Sequence, residues 1–355
     1  MGGGAQVREE DDMETAVRTE NLTKHFRTRV KAPGLSAAVR GVFRPTYKDV
    51  EAVRGLSFEI ASGDLVAFIG PNGAGKSTTI KLISGILHPD GGQVEVLGLN
   101  PHKSRKALSR RIGTVFGQKS QLWYHLPPAD SFRLLGAIYD LSDKETAKRV
   151  DELAEVFEIE ELLTTPVRKL SLGQRIRCEI AASLLHRPDI LFLDEPSIGL
   201  DVVVKQRIRD LIQRVNQGRG VTIFLTSHDA GDIEKICRRA IVINHGSIVW
   251  DGSIKEMKYS FLNRRVLDLK LDGPVEIDMP GVEILKRKDY SAKLEVDVKV
   301  TSAEAVIAEL MKRRSIVDIT IGSTPMEEVI AHIYAGKADG PERGGPDGPE
   351  GGFGA

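Results

Sequence analysis

The residues from Gly70 to Ser77, which read G-P-N-G-A-G-K-S, constrain the fold of this chain more than any other feature. They match the phosphate-loop pattern G-x-x-x-x-G-K-[S/T]. An apolar run at 64–69 precedes them and predicts a buried strand, and the apolar spacing at 78–87 predicts a helix. A strand, a glycine loop and a helix are the context that this motif requires, so the sequence predicts a nucleotide phosphate site in an α/β fold.

The residue types in this loop suit the binding of phosphate. Its glycines let the backbone curl with the N–H groups pointing inward, and the helix N-terminus adds a favourable dipole. Lys76 supplies a positive charge, and the Ser77 hydroxyl can ligate Mg²⁺. The candidate nucleotide-binding residues of the loop are Gly70, Pro71, Asn72, Gly73, Ala74, Gly75, Lys76, Ser77 and Thr78.

Composition limits the classes of protein to consider. The chain has 355 residues, enough for about two domains, and its 50 basic residues are balanced by 50 acidic ones. Net charge therefore gives no argument for nucleic acid or for a membrane surface. Two cysteines, Cys178 and Cys237, make no disulfide framework, which fits a reducing cytosol. There is no apolar run of ~18 residues and no signal peptide, so we expect any action at a membrane to require a partner.

Strand-like and helix-like segments alternate over most of the chain up to residue 258. This alternation predicts a largely parallel sheet that binds its ligands at the carboxyl ends of the strands. Gln118, Glu195 and His228 each follow a predicted strand, where such a ligand would lie. Between about 120 and 185 the pattern is mostly helical and predicts a helical subdomain.

The N-terminal region contains a basic segment at 27–46 that has no acidic residue. Two interpretations remain open for it: a solvated surface insertion, or a patch that faces phospholipid or a partner. A short helix is predicted at 35–43. The glycines and acidic residues at 1–18 predict a disordered lead.

The sequence pattern changes near residue 259. Alternating runs at 266–271 and 294–300 predict half-buried strands, the second with Glu295 facing solvent. Capping boxes predict two helices after these runs. We therefore expect a small α+β accessory domain over 259–336 and a disordered tail over 337–355.

Three further segments carry candidate chemistry, and each also has a simpler structural interpretation. Asp194 can complete a Mg²⁺ shell and Glu195 can polarise an attacking water, but such a pair alone often begins a helix. The segment 170–174 joins a serine, a glycine and a helix N-terminus, which suits a second phosphate contact or an ordinary cap. A lone histidine such as His228 is more often structural.

Together and in this order, these segments resemble the ATP-binding subunits of ABC transporters over about residues 19–258. The resemblance implies a phosphate-loop ATPase core with a helical signature subdomain, and ATP and Mg²⁺ as cofactors. It implies that Tyr47 stacks on adenine, where ring and base meet face to face. The implied catalytic residues are Glu195, His228, Gln118 and Lys76, and the implied metal ligands are Ser77, Gln118 and Asp194.

The resemblance also implies a head-to-tail dimer, homomeric or with a related subunit, because one chain carries one set of motifs. Each ATP then lies between one phosphate loop and the signature of the other subunit. Leucine at 172 departs from the glycine that is usual in the family. The implied signature residues are Ser171, Leu172, Gly173 and Gln174, and the implied D-loop residues are Gly199, Leu200 and Asp201.

The function implied by the resemblance is ATP hydrolysis that drives transport through a separate permease, at the cytoplasmic face of the membrane. The C-terminal region and the segment 117–127 resemble drug exporters of the daunorubicin or viologen type, which favours export.

An alternative is a soluble ATPase of the same fold that acts on nucleic acid or ribosomes. The interval between Lys76 and Ser171 has no sustained heptads, there is one phosphate loop, and the charge balance predicts no nucleic-acid face. A third interpretation, a regulatory module without turnover, is disfavoured by Glu195, since inactive copies often lose this carboxylate.

Overall fold

The computed structural model describes residues 14–30, 46–117, 119–227, 230–259, 263–273, 277–312 and 314–336. The boundary between two compact units falls between Ile254 and Lys255. The predicted helix at 35–43 and the predicted tail at 337–355 lie outside the described residues. The same holds for most of the predicted lead, but Ala16 and Val17 belong to the first strand and are fully buried, so order begins before residue 18.

The first unit alternates strands and helices, as predicted. Two short 3₁₀ turns, Glu160–Leu162 and Val167–Lys169, lie in its helical part. In chain order its elements are β1 (Thr15–Val30), β2 (Thr46–Ala61), β3 (Leu65–Ile69), α1 (Lys76–Ile83), β4 (Gly91–Val96), α2 (Arg105–Ser109), β5 (Ile112–Phe116), α3 (Pro128–Ile138), α4 (Asp143–Phe157), α5 (Leu172–Ser183), β6 (Ile190–Asp194), α6 (Val202–Arg219), β7 (Thr222–Ser227), α7 (Ala230–Ile236), β8 (Arg239–Asn244) and β9 (Ser247–Ser253), and α8 (Ile254–Tyr259) spans the boundary.

A six-stranded sheet with the order β5-β6-β7-β3-β8-β9 forms the centre of this unit. All neighbouring strands are parallel except β8 and β9. Strands β3, β6 and β7 are almost entirely buried, because a parallel sheet is covered on both faces. The sequences of β3 and β6 are accordingly apolar up to Asp194 at the end of β6. The carboxyl ends of β3, β6 and β7 lie side by side and bring Gly70, Glu195 and Ser227 to one edge.

A second sheet, of three antiparallel strands in the order β2-β1-β4, packs against this core. Phe58 of β2 lies 5.9 Å from Phe68 of β3 between ring centroids, and Phe68 lies 5.0 Å from Phe224 of β7. The basic segment begins and ends within this sheet: β1 continues to Val30, β2 starts at Thr46, and both ends pair in register. Both ends of the basic segment therefore belong to paired strands, which extend the β1–β2 hairpin.

The helical region predicted at about 120–185 contains α3, α4, α5 and the two 3₁₀ turns. Ser142 caps α4 in a reciprocal capping box with Glu145, which satisfies two backbone donors at the helix start. Helix α4 packs on α3 and on α5 through one apolar face that includes Leu153 and Phe157. Helix α5 in turn packs on β5, which joins the helical region to the central sheet.

The second unit is an antiparallel sheet with one helix on each face. Its elements are β10 (Arg264–Leu271), β11 (Val282–Lys288), β12 (Ser291–Asp297), α9 (Ala303–Met311), β13 (Ile316–Ser323) and α10 (Met326–Tyr334), and the strand order is β11-β12-β10-β13. Val306 and Leu310 of α9 pack on the face that carries Leu269 and Leu294. Helix α10 covers the other face, where Glu328 pairs with Lys293. The predicted fold class, an α/β core with a small α+β addition, is confirmed.

Glu295 does not face solvent, contrary to the prediction. It points to the face under α10 and is 1% exposed. The strand also begins and ends earlier than predicted, because residues 298–300 form a turn after β12. Within the described residues, no helix is long and apolar enough to cross a membrane.

Candidate nucleotide site

The phosphate loop connects β3 to α1 at the carboxyl edge of the central sheet. Gly73 and Gly75 have φ values of 82° and 108°, in the region that favours glycine. A Cβ atom on Gly75 would lie 2.4 Å from the carbonyl oxygen of Ala52, so a side chain has no room there. Gly75 is also the N-cap of α1 and has no side chain to occupy the first N–H groups, which leaves them for a ligand.

Lys76 is held inside the loop. Its side chain is 6% exposed, and Nζ donates to the carbonyl oxygens of Gly70 at 2.6 Å and Pro71 at 3.3 Å. The same Nζ lies 3.4 Å from Oε1 of Glu195. A positive charge is thus fixed between the loop and the acidic end of β6.

Ser77, Asp194 and Thr226 form a hydrogen-bonded group beside the loop. The Ser77 hydroxyl donates to Oδ1 of Asp194 at 3.1 Å, and the Thr226 hydroxyl donates to the same oxygen at 2.7 Å. Thr226 Oγ1 also accepts from the backbone N–H of Glu195 at 3.0 Å. A hydroxyl and a carboxylate are hard oxygen donors, so the predicted Mg²⁺ ligands Ser77 and Asp194 are adjacent and chemically suited to this ion.

Glu195 has a left-handed backbone, with φ of 53°, which is uncommon for a residue that has a side chain. Its backbone is fixed by Thr226 and by the close packing of Gly117 at the end of β5, where a Cβ atom would lie 2.9 Å from the carbonyl oxygens of Asp194 and Glu195. This conformation directs the carboxylate toward Lys76. Backbone strain of this kind occurs often at functional sites.

A cavity of about 600 Å³ opens over these residues. The phosphate loop, Asp194 and Glu195 form its polar side, and Phe26, Val50 and Ile86 are apolar parts of its lining. Gly117 also lines it, but the next residue, Gln118, lies outside the described residues, as does His228 after β7. The placement of these two predicted residues therefore stays a prediction.

Tyr47, predicted to stack on adenine, is not among the residues that line this cavity. Tyr47 is 46% exposed, and the centroid of its ring lies 4.4 Å from the guanidinium of Arg27. The β1–β2 register explains the difference, because Phe26 pairs with the cavity residue Val50, whereas Tyr47 pairs farther out along the hairpin. Phe26 and Phe116 are the aromatic residues that line the cavity, and Phe26 is the one that belongs to the β1–β2 hairpin.

The predicted signature residues start α5. Ser171 Oγ accepts from the Gln174 N–H at 3.2 Å, and Gln174 Oε1 accepts from the Ser171 N–H at 2.8 Å, which forms a capping box. A Cβ atom on Gly173 would lie 2.5 Å from Cγ1 of Val204, so glycine allows α5 to approach α6. None of the four signature residues lines the phosphate-loop cavity.

The predicted D-loop residues lie next to the signature in the same chain. A Cβ atom on Gly199 would contact the Leu172 side chain at 3.3 Å. Asp201 caps α6 by accepting from the N–H groups of Val203 and Val204, both at 3.0 Å. Asp201 therefore has a structural role here, whatever it contacts in an assembly.

The fold and this site define a class, the phosphate-loop ATPases, in which a glycine loop after a strand faces an acidic strand end. The profile described as "ABC transporter" matches residues 53–198. The chain is 37% identical over 237 residues to the fluoroquinolones export ATP-binding protein of Mycobacterium tuberculosis (66% of this chain, 77% of that protein). It is 33% identical over 225 residues to the daunorubicin/doxorubicin resistance ATP-binding protein DrrA of Streptomyces peucetius (63% and 67%).

A solved structure has the same fold: a dimer of the ATP-binding cassette MJ0796 in a post-hydrolysis state, bound to ADP and Pi. Its TM-score is 0.56 at 26% identity, and the match covers 67% of this chain and 98% of that one. The chain belongs to the ATP-binding proteins of ABC transporters. It is an ATPase of this family, with ATP and Mg²⁺ as cofactors.

Proposed function

We propose that this chain is the ATP-hydrolysing motor subunit of a membrane exporter and that a separate permease carries the substrate. The observation that carries the proposal is the convergence of Lys76, Ser77, Asp194 and Glu195 at one sheet edge. Two relatives named for daunorubicin/doxorubicin resistance and fluoroquinolones export support the direction of transport and a drug-like substrate.

The roles of the site residues follow from their chemistry. The loop N–H groups and Lys76 bind the outer phosphates of ATP, while Ser77 and Asp194, with Gln118, hold Mg²⁺. Bound there, Mg²⁺ would neutralise charge that develops on the phosphates during hydrolysis. Glu195 takes a proton from the attacking water. His228 contacts the terminal phosphate, and Phe26, in place of Tyr47, stacks on adenine.

The second half of each site comes from another subunit in this proposal. Ser171 is exposed and does not line the phosphate-loop cavity of its own chain, which supports a contact in trans. Ser171 and Gly173 then bind the ATP of the partner, and the segment 199–201 contacts it across the interface. ATP favours the closed dimer because it binds that state more tightly, and hydrolysis removes the preference.

The parts of the chain have different tasks in this proposal. Residues 19–258 are the ATPase domain, with the helical part at about 120–185, and residues 259–336 are an accessory domain. The subunit works at the cytoplasmic face of the membrane through its permease. No nucleic acid takes part, in keeping with the balanced charge of the chain.

The variant Glu195→Gln tests this function. It removes the proposed base and keeps the size of the side chain, so we expect ATP binding to persist and turnover to fall about 10²–10⁴-fold. A dimer that forms with ATP and Mg²⁺ should then be visible by light scattering coupled to gel filtration. The matched control is Glu155→Gln, on the exposed part of α4, which should hydrolyse ATP at the normal rate.

Two results would contradict the proposal. Full hydrolysis by Glu195→Gln would show that Glu195 is not the base. Purification of the tagged chain from membranes without any multi-span protein, or with ribosomes or DNA instead, would exclude the permease partner.

A further inference from the structure

The second unit contains a cluster of metal-ligating side chains that the proposed function does not use. Glu283 lies on β11, Glu295 on β12 and His332 on α10. One carboxylate oxygen from each glutamate and a ring nitrogen of His332 all lie within 4.8 Å of one another. Two strands and the helix that covers them thus converge on one point.

The two glutamates of this cluster are cross-strand neighbours. Glu283 and Glu295 are direct partners in the antiparallel β11–β12 register. Like charges in this position destabilise a sheet, and burial of one of them increases the cost. Arg264 of β10 donates to Oε2 of Glu295 at 2.6 Å and offsets the charge of this buried carboxylate.

The carboxylate of Glu295 is only half satisfied. Oε2 contacts Arg264 and also lies 3.3 Å from Nε2 of His332. Oε1 is buried and has no hydrogen-bond partner among the residues that the structure describes. Because Glu295 is 1% exposed, solvent does not compensate for this oxygen, and a buried acceptor without a partner lowers stability.

We propose that Glu283, Glu295 and His332 bind a divalent metal ion of the zinc class. One imidazole nitrogen and two carboxylates are a donor set for Zn²⁺ or Co²⁺, whereas Mg²⁺ and Ca²⁺ prefer oxygen donors alone. Water completes the coordination. Glu283 is exposed and gives the ion a path from solvent. Arg264 donates to Oε2 of Glu295 and so orients this carboxylate, as hydrogen-bond partners of metal ligands commonly do.

The site would link the last helix to the sheet. His332 lies in the last turn of α10, while both glutamates belong to neighbouring strands, so one ion fixes three elements. Metal binding therefore stabilises the folded second unit by mass action. This inference uses none of the residues of the nucleotide site and is independent of the proposed transport function.

The test uses the full chain after removal of metal with a chelator, in the absence of nucleotide. Zn²⁺ is titrated by calorimetry, and Co²⁺ binding is followed by its visible absorption. We expect saturable binding of one ion and an increase in thermal stability with Zn²⁺. Glu283→Gln and His332→Gln should each weaken binding by about 10–100-fold or more, since they remove ligands themselves. Glu327→Gln, an exposed glutamate on the same helix, should bind like the wild type.

The controls separate this site from other histidines and from loss of folding. His88 and His102 are 4.6 Å apart between ring centroids, so a loss of binding in His102→Gln but not in Glu283→Gln would overturn the proposal. Glu283 is exposed, and its variant carries the test if His332→Gln does not fold. Absence of saturable binding, or equal binding by wild type and Glu283→Gln, would contradict the metal site. The cluster would then be only a network of charged side chains around Glu295.

Discussion

Replacement of Phe26 by alanine should weaken ATP binding, while replacement of Tyr47 should not. Phe26 and Val50 are cross-strand partners and both line the cavity over the phosphate loop. Tyr47 is instead 46% exposed, and the guanidinium of Arg27 lies over its ring. The pair of variants therefore compares two aromatic residues of the same hairpin, only one of which faces the site.

The size of the effect can be bounded from the contact that is lost. Stacking of a base on an aromatic side chain contributes about 1–3 kcal/mol, as measured by alanine substitution. Val50 and Ile86 remain in the cavity wall after the change, so we expect a value in the lower part of this range. A loss of about 1.4 kcal/mol corresponds to a tenfold higher Kd for ATP. Tyr47→Ala should change the Kd less than about twofold, because an exposed cation–π contact contributes little.

Calorimetric titration with Mg-ATP measures both variants, and inorganic tripolyphosphate serves as the second ligand. Phe26→Ala should bind tripolyphosphate like the wild type, because the loop and Lys76 are unchanged. The reasoning fails if Tyr47→Ala loses ATP affinity and Phe26→Ala does not. It also fails if Phe26→Ala weakens both ligands equally, which would indicate a distorted loop.

Two more predictions concern Lys76 and His186 of the first unit. Lys76→Ala should raise the Kd for ATP by about 10–150-fold, since a hydrogen bond to a charged group contributes about 1.5–3 kcal/mol. The control is Lys106→Ala, on the exposed side of α2. Unchanged ATP affinity in Lys76→Ala would contradict the assignment of the phosphate loop. Burial lowers the pKa of His186 from 6.5 to about 4, so the unfolded chain takes up a proton between these pH values that the folded chain does not. The free energy of unfolding should therefore fall as pH decreases from 6.5 to 4. Urea unfolding at a series of pH values should show a smaller fall for His186→Gln than for the wild type. An equal dependence on pH in the two proteins would contradict the lowered pKa of His186.

The residue types of the nucleotide site could be predicted because each of its parts is a short run of contiguous residues. The loop, the Asp194–Glu195 pair and the Ser171 cap each combine a turn or strand end with the side chains that act there. Parallel strands then bring the separate segments to one edge, so their meeting follows from the strand–helix alternation alone. The left-handed backbone of Glu195 was not predictable, because it depends on contacts with Gly117 and Thr226 from two other strands.

The structure departs from the sequence-based expectations where the position of a residue depends on partners that are distant in sequence. Tyr47 and Phe26 flank the basic segment, and only the register of the β1–β2 hairpin shows which ring faces the cavity. Alternation along β12 correctly separates Leu294 from Glu295, but it cannot show that a second helix covers the charged face. For this reason the sequence places Glu295 in solvent, whereas in the structure it is buried beside His332.

The contacts within the nucleotide site indicate how its residues respond to ATP under the proposed function. Lys76 contacts the carboxylate of Glu195, and Ser77 donates to Asp194, so each charged or polar group already has a partner from the opposite side of the cavity. A terminal phosphate competes with Glu195 for Lys76, because both are anions that seek the same ammonium. Under the proposed function we therefore expect Mg-ATP to replace Glu195 as the partner of Lys76, which would leave the Glu195 carboxylate beside the terminal phosphate. Because Thr226 and Gly117 already fix the backbone of Glu195, we expect this exchange of partners to prepare the proposed base without movement of the backbone.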